Sequence, residues 1–343
     1  MIHFDCDYMA GAHPEVLDAI VKNNLVQTAG YGSDNFCARA KDLIREACGT
    51  PEAAVHFMVG GTQTNSTVLD GILGRIDGVI AAETGHINVH ESGAVELFGH
   101  KVIALPSHDG KLCPAEVRDY LHDFYADDTN EHMVAPGAVY ISFPSELGTL
   151  YSLGELEQLN AVCHEYDIPL YIDGARLGHG LAASPDVTLP DIARLADVFY
   201  IGGTKMGALM GEAVVCTHPH LMRHFFTLMK AHGAVLAKGR LLGLQFWGLF
   251  RDGLYERVSE HAIGLSNQIR STLVEMGVPF LVETPTNQLF PIFTDEQLET
   301  LEEDFAFSNW ERVDEAHSAV RICTSWATPE ESVDALIKAI QAL

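Results

Sequence analysis

Between about residue 50 and residue 216 the chain carries seven short apolar runs separated by segments of helical pattern. They are AAVHFMV (53–59), GVIAA (78–82), KVIAL (101–105), AVYISF (138–143), PLYID (169–173), DVFYIG (197–202) and EAVVC (212–216). Most are four to seven residues long and apolar at both odd and even positions. Since successive strand side chains point to opposite faces, such runs need both faces covered. Amphipathic stretches such as LGELEQLNAVCHEY (153–166) supply the covering helices. The rhythm predicts an α/β domain around a mostly parallel, seven-stranded sheet.

After Thr217 the pattern changes. Residues 218–276 read as helical, with breaks near Gly233 and Gly253. TNQLFPIF (286–293) and AVRICT (319–324) read as strands around a charged helical region, and ESVDALIKAIQAL (331–343) closes as an amphipathic helix. The expected division is a large domain over residues 1–250, with the segment 1–45 contributing to site and interface, and a smaller α+β C-terminal domain over 251–343.

The formal net charge of −26, from 47 acidic against 21 basic side chains, argues against nucleic acid or an anionic membrane as partner. Seven scattered cysteines without a CxxC pair suit a reducing compartment. The opening MIHFDCDYMAGAHPE lacks the basic start and apolar run of a signal peptide. A soluble, cytoplasmic protein is expected.

Three segments carry chemistry. Of eight lysines, Lys205 alone follows an apolar strand into a glycine-rich turn, YIGGTKMGALMGEAVV. A lysine in the crevice outside strand carboxyl ends is a lightly solvated amine suited to Schiff-base formation. An ordinary loop lysine fits the same string. The strand PLYID ends at Asp173, followed by Gly174-Ala175-Arg176. A carboxylate there is placed to hold a protonated ring nitrogen, and equally to cap a helix. Gly60-Gly61-Thr62-Gln63-Thr64-Asn65 follows the first run, where glycines entering a helix make a phosphate cup of backbone N–H groups. It does not match the GxGxxG dinucleotide pattern. His86 and His90 stand four apart in HINVHE, but the string is not HExxH and marks no third ligand, so no metal is expected.

These motifs resemble the threonine aldolase and β-eliminating lyase group of fold-type-I pyridoxal-phosphate enzymes. The likeness runs nearly end to end, through FDCDYMAGAHPEV, GYGSD, GGTQTN, ETGHINVHESGA, ELGTLY, DGAR, GGTKMGALMGEAVV and VRICTSW. It implies pyridoxal 5′-phosphate held as a Schiff base on Lys205, with Asp173 on the ring nitrogen and His86 stacked on the ring. Gly60, Gly61, Thr62 and Thr204 would hold the phosphate, with Lys238 reaching a partner's phosphate. Arg176 would sit near the ring hydroxyl and the substrate carboxylate, and Arg321 would clamp that carboxylate, with Cys6 and Tyr31 completing the substrate site. The implied reaction cleaves β-hydroxy-α-amino acids, L-threonine or L-allo-threonine, to glycine and an aldehyde. A β-eliminating lyase, or an aldolase for bulkier substrates such as phenylserine, is the alternative. Similar enzymes are homodimers or homotetramers with shared sites. Two departures stand out: many relatives have Ser at the place of Cys6, and some have His at that of Glu146.

Overall fold

The structure, a computed structural model, describes residues 1–343. The chain opens on a two-residue strand, β1 (Ile2–His3), and two helices, Pro14–Lys22 and Asn35–Cys48. Both ends of the second helix are written locally. The Asp34 carboxylate accepts from the N–H groups of Phe36 and Cys37, and Gly49 closes the helix at φ 66°.

The seven apolar runs become β2 (Ala54–Met58), β3 (Asp77–Ala82), β4 (Lys101–Leu105), β5 (Ala135–Ser142), β6 (Leu170–Asp173), β7 (Val198–Gly202) and β8 (Glu212–Cys216). They form one sheet in the order β2-β8-β7-β6-β5-β3-β4. The strands from β3 to β7 pair in parallel, while β8 runs antiparallel to both β7 and β2. The exception has a simple cause. Only residues 203–211 separate β7 from β8, too few for the crossover that a parallel return requires.

Side-chain parity explains the double burial. On β7, Phe199 and Ile201 join one apolar layer with Ile44, Leu156 and Phe246. Val198 and Tyr200 join the opposite layer with Val68, Leu69 and Phe225. Truncating one such aliphatic core residue to Ala typically costs about 2–5 kcal/mol.

Helices Arg240–Phe250 and Leu254–Glu275 lead to a smaller body. It contains β9 (Gln288–Leu289), β10 (Ile292–Thr294), the helix Asp295–Glu302, β11 (Phe305–Ala306), β12 (Ser308–Arg312), β13 (His317–Cys323) and the helix Glu330–Gln341. β13 is its hub, antiparallel to β9, β10 and β12. The N-terminal β1 pairs in parallel with β11, and Phe4 is buried in a core with Leu265, Phe293, Val320 and Leu336. The first residues of the chain are thus stitched to its last quarter. No helix is long and apolar enough to cross a membrane.

Candidate active site

Strands β5, β6 and β7 end side by side at Ser142, Asp173 and Gly202, the edge where open α/β sheets present their ligand crevice. A cavity opens there, lined by Gly61, His86, Ser142, Glu146, Asp173, Arg176, Tyr200 and Lys205 among others.

Lys205 rides the loop between β7 and β8. Gly203 is required in that loop because a Cβ on it would stand 2.6 Å from the Gly211 carbonyl oxygen. Glu212, at the start of β8, braces the turn from below. Its carboxylate accepts from the Gly203 N–H at 2.9 Å and the Thr204 hydroxyl at 2.8 Å, and Thr204 Oγ1 accepts from the Gly211 N–H at 3.1 Å. The Thr204 hydroxyl is therefore engaged within the loop. Burial pushes the Glu212 carboxyl up to about 7 despite its donors. Burial, reinforced by the Arg176 guanidinium, pushes the Lys205 ammonium below its usual value against the pull of Asp7, Asp173 and Glu212. A lowered proton affinity raises the share of free amine, the form that condenses with a carbonyl.

Asp173 is buried at the end of β6. It accepts from Asn65 Nδ2 at 2.8 Å, the Tyr140 hydroxyl at 2.7 Å and the Ala175 N–H at 2.9 Å. Burial alone would favour the neutral acid, but the His86 charge, the Tyr200 hydroxyl, the Asn65 amide and the Ala175 N–H hold the carboxyl below its ordinary range. A carboxylate offers about four acceptor positions, so one remains for a cationic ring nitrogen.

His86 starts the short helix His86–Val89. Its Nδ1 lies 2.7 Å from Glu91 Oε1, and its backbone N–H donates to Glu146 Oε1 at 2.9 Å. Burial favours the neutral imidazole, yet the Glu91 hydrogen bond and the charges of Asp173 and Glu91 raise its proton affinity overall. Glu146 also accepts from Ser142 Oγ at 2.6 Å, and burial pushes its carboxyl upward.

The helix Gly61–Ile72 begins at Gly60 with no side-chain cap, so its first N–H groups have no local acceptor. A Cβ on Gly61 would lie 3.3 Å from the Tyr200 hydroxyl, so the glycine keeps the approach open. An uncapped helix N-terminus beside an amine and a carboxylate is an anion cradle of the right chemistry for a phosphate.

Arg176 lines the same cavity with much of its guanidinium already spent. Nε and Nη2 grip the buried Asp7 at 2.7 and 3.0 Å, leaving Nη1 for a ligand. Asn287 Nδ2 also donates to Asp7, at 3.0 Å, tying this pair to the small body. Arg321 donates from Nη2 to the Asp5 carbonyl at 2.8 Å and to Ser308 Oγ at 3.2 Å.

The structure thus brings Lys205, Asp173, His86, Arg176 and Gly61 to one cavity. Cys6 instead lines a groove with His3, Met9 and Ser325. Tyr31 and Lys238 lie together on another face, where the Tyr31 N–H donates to the Ala237 carbonyl at 3.1 Å and Lys230 Nζ stands 4.4 Å from the Tyr31 ring. Sequence reasoning missed Asp7, Asn65, Glu91, Tyr140 and Glu212. Asp7, Asn65, Glu91 and Glu212 lie inside the family-like motifs, but only their partners in the fold reveal what they do.

The uncapped helix start, the open acceptor position on Asp173 and the weakened Lys205 ammonium fit pyridoxal 5′-phosphate. Fold and site together define a class, and the chain is a fold-type-I pyridoxal-phosphate enzyme. An aspartate aminotransferase from Thermus thermophilus shares that fold, with a TM-score of 0.70 at 16% identity over 100% of this chain and 92% of that one. Within the class, residues 4–295 match the model of the beta-eliminating lyase family, and the chain belongs to that family. It is 31% identical to a low specificity L-threonine aldolase from a Pseudomonas species, over 99% of this chain and 97% of the relative. A low specificity L-threonine aldolase from Pseudomonas aeruginosa is 30% identical over 87% of this chain and 86% of its own. The structure of Leishmania major threonine aldolase superposes with a TM-score of 0.96 at 41% identity, covering 100% of this chain and 99% of that one.

Proposed function

We propose that this enzyme cleaves β-hydroxy-α-amino acids, L-threonine and L-allo-threonine first, to glycine and an aldehyde. The observation that carries the reading is the meeting of the Lys205 amine, the Asp173 carboxylate and the His86 imidazole in one cavity beside an uncapped helix N-terminus. When bound, the cofactor supplies an electron sink conjugated to the substrate Cα.

In this reading Lys205 holds the cofactor and Asp173 keeps its ring nitrogen protonated. The N–H groups of Gly60, Gly61 and Thr62 hold its phosphate, and Thr204 shapes the lysine loop. Arg176 offers Nη1 to the substrate carboxylate, and Arg321 offers its remaining donors to the same group. Cys6 precedes Asp7 in the chain but lines a separate groove, so its part at the substrate carboxylate is a minor one. His86 handles the β-hydroxyl proton.

The test is product analysis. Holoenzyme incubated with L-threonine is expected to release glycine and acetaldehyde in equal amounts. A 2-oxo acid with ammonia in their place would transfer the protein to the elimination reading.

We further propose that the active form is at least a dimer, with Tyr31 and Lys238 serving a neighbour's site. Tyr31 is 48% exposed at φ 58°, and neither residue lines the Lys205 cavity of its own chain. Mixing the inactive variants Lys205→Ala and Tyr31→Ala under subunit exchange should restore activity through one intact site per mixed dimer. No recovery despite proven exchange refutes the sharing.

A further inference from the structure

His86 is held by a carboxylate that the reaction itself does not touch. The Glu91 side chain is fully buried. Its Oε1 faces His86 Nδ1 at 2.7 Å and accepts from Asn65 Nδ2 at 2.7 Å, while Oε2 has no partner. No lysine or arginine bonds to it, so the imidazole is its sole cationic partner. A carboxylate out of water without a matching charge costs several kcal/mol, so a proton must stay between this pair.

Asn65 determines which way the pair faces. Its Oδ1 accepts from the Tyr171 hydroxyl at 2.8 Å, which turns both Nδ2 protons toward carboxylates, one to Glu91 and one to Asp173. That amide is a crossbar between the two buried acids of the site. The shared proton therefore resides on the His86 Nδ1 side, and no protein group bonds Nε2 on a ring that lines the cavity.

We propose that Glu91 is a positioning residue for His86: it pins the proton on Nδ1 and makes Nε2 the nitrogen that exchanges protons with substrate. The inference rests on the aldol-cleavage reading given above. In that reaction the β-hydroxyl proton passes to Nε2 and the hydroxyl O–H pair becomes the second bond of the aldehyde carbonyl. The Cα–Cβ pair stays with Cα, which then takes up a proton to give glycine. The imidazolium formed at Nε2 is stabilised by Glu91 through Nδ1–H, the arrangement by which a buried carboxylate orients a catalytic histidine.

The charged and titratable groups that face His86 are Glu91 behind it, Asp173 at the end of β6, Lys205 from the β7–β8 loop, Glu146 beneath its backbone N–H, and His90 with ring centroids 5.7 Å apart. Of these, Glu91 bonds the ring directly, so its neutralisation should lower the proton affinity of Nε2.

The test uses holoenzyme labelled with ¹⁵N in its histidine rings, with the His86 signals assigned by their loss in His86→Phe. Two-bond ¹H–¹⁵N spectra across a pH series should show wild-type Nδ1 protonated throughout and Nε2 titrating. In Glu91→Gln the Nε2 midpoint should fall by about one pH unit or more, a tenfold loss of proton affinity. The ascending limb of kcat/KM for threonine cleavage should fall with it, onto a lower plateau. Glu91→Asp, charged but one methylene short, should shift both midpoints the same way by less, and it carries the test if the Gln variant does not fold. An unmoved midpoint, or titration at Nδ1 with Nε2 protonated, overturns the proposal. So does an Nε2 shift that leaves the kinetic limb in place. Wild-type enzyme that makes no glycine from threonine refutes the cleavage reading separately, because the spectra still decide which nitrogen titrates.

Discussion

The two sides of the cavity are built differently. On the sheet side, Asp173, Tyr140 and Lys205 stand on or just past neighbouring strands, and strand register places them: Tyr140 of β5 lies opposite Tyr171 of β6, and Ser142 opposite Asp173. On the other side, Arg176 is held by the N-terminal segment through the Asp7 carboxylate, and the same segment holds Arg321, outside the cavity lining, through the Asp5 carbonyl. Register positions a group through many shared backbone bonds, whereas a guanidinium clamp depends on one or two. The sheet side should therefore carry the chemistry with little tolerance for change. The N-terminal side should set affinity and be separable by mutation.

The largest expected effect lies on the sheet side. Lys205→Ala should lower turnover by roughly 10⁴-fold or more and remove the cofactor's bound absorbance band. Borohydride reduction of the wild type followed by peptide mapping should find the label on Lys205. Recovery on Lys230 or Lys238 would break the comparison outright.

Asp7→Asn comes next, on the opposite side. It leaves the Arg176 guanidinium without its charge partner at a pair whose side chains are 14% and 0% exposed. Removing one member of a buried pair costs about 3–5 kcal/mol, readable by urea unfolding. KM for threonine should rise more than kcat falls, because Arg176 loses its fixed orientation. A selective loss of kcat would mean that the two sides are not separable.

Glu212→Gln sharpens the account of the lysine loop. With its folded proton affinity raised from 4.5 to about 7, native Glu212 contributes stability that is complete below the unfolded value. That contribution is lost as pH climbs through the folded one. Relative to the Gln variant, the wild type should lose about 3 kcal/mol of unfolding free energy between those pH values. Parallel stability curves for the two proteins would remove Glu212 from that role.

The smallest effect is expected at Cys6→Ser. A hydroxyl is the better donor to a carboxylate, but Cys6 lines its own groove. KM should fall or stay within about threefold. A large loss of affinity in folded protein would give the thiol a role on that side.

The fold was largely legible because apolar periodicity is a local signal. All seven runs of the large sheet appear as strands, and KVIAL is β4 residue for residue. The short strands β1, β11 and β12 were not legible. The first two are only two residues long, and β12 (SNWER) is mostly polar and exposed, so none carries a pattern of its own. The site divides the same way. Lys205 and Asp173 announce themselves by following apolar strands. Asp7 and Arg176 are 169 residues apart, and Asn65 and Asp173 are 108 apart, so their meeting is a property of the topology alone. Arg321 reads as a free clamp in sequence, and only the structure shows how much of it the Asp5 carbonyl and Ser308 already occupy.

The pairing of β1 with β11 has a consequence for the order in which the molecule is made. Ribosomes add roughly 5–20 residues per second. Asp5 precedes Ser308, whose hydroxyl holds its carbonyl, by 303 positions. The first strand thus waits roughly 15–60 s for a partner after it is made. The seven strands of the large sheet are complete by Cys216. The lysine, its carboxylate and the helix start that would receive the phosphate all emerge before the segment that seats both arginines can dock. On the proposed assignment of these residues, a nascent chain is in a position to meet its cofactor before it can grip a substrate.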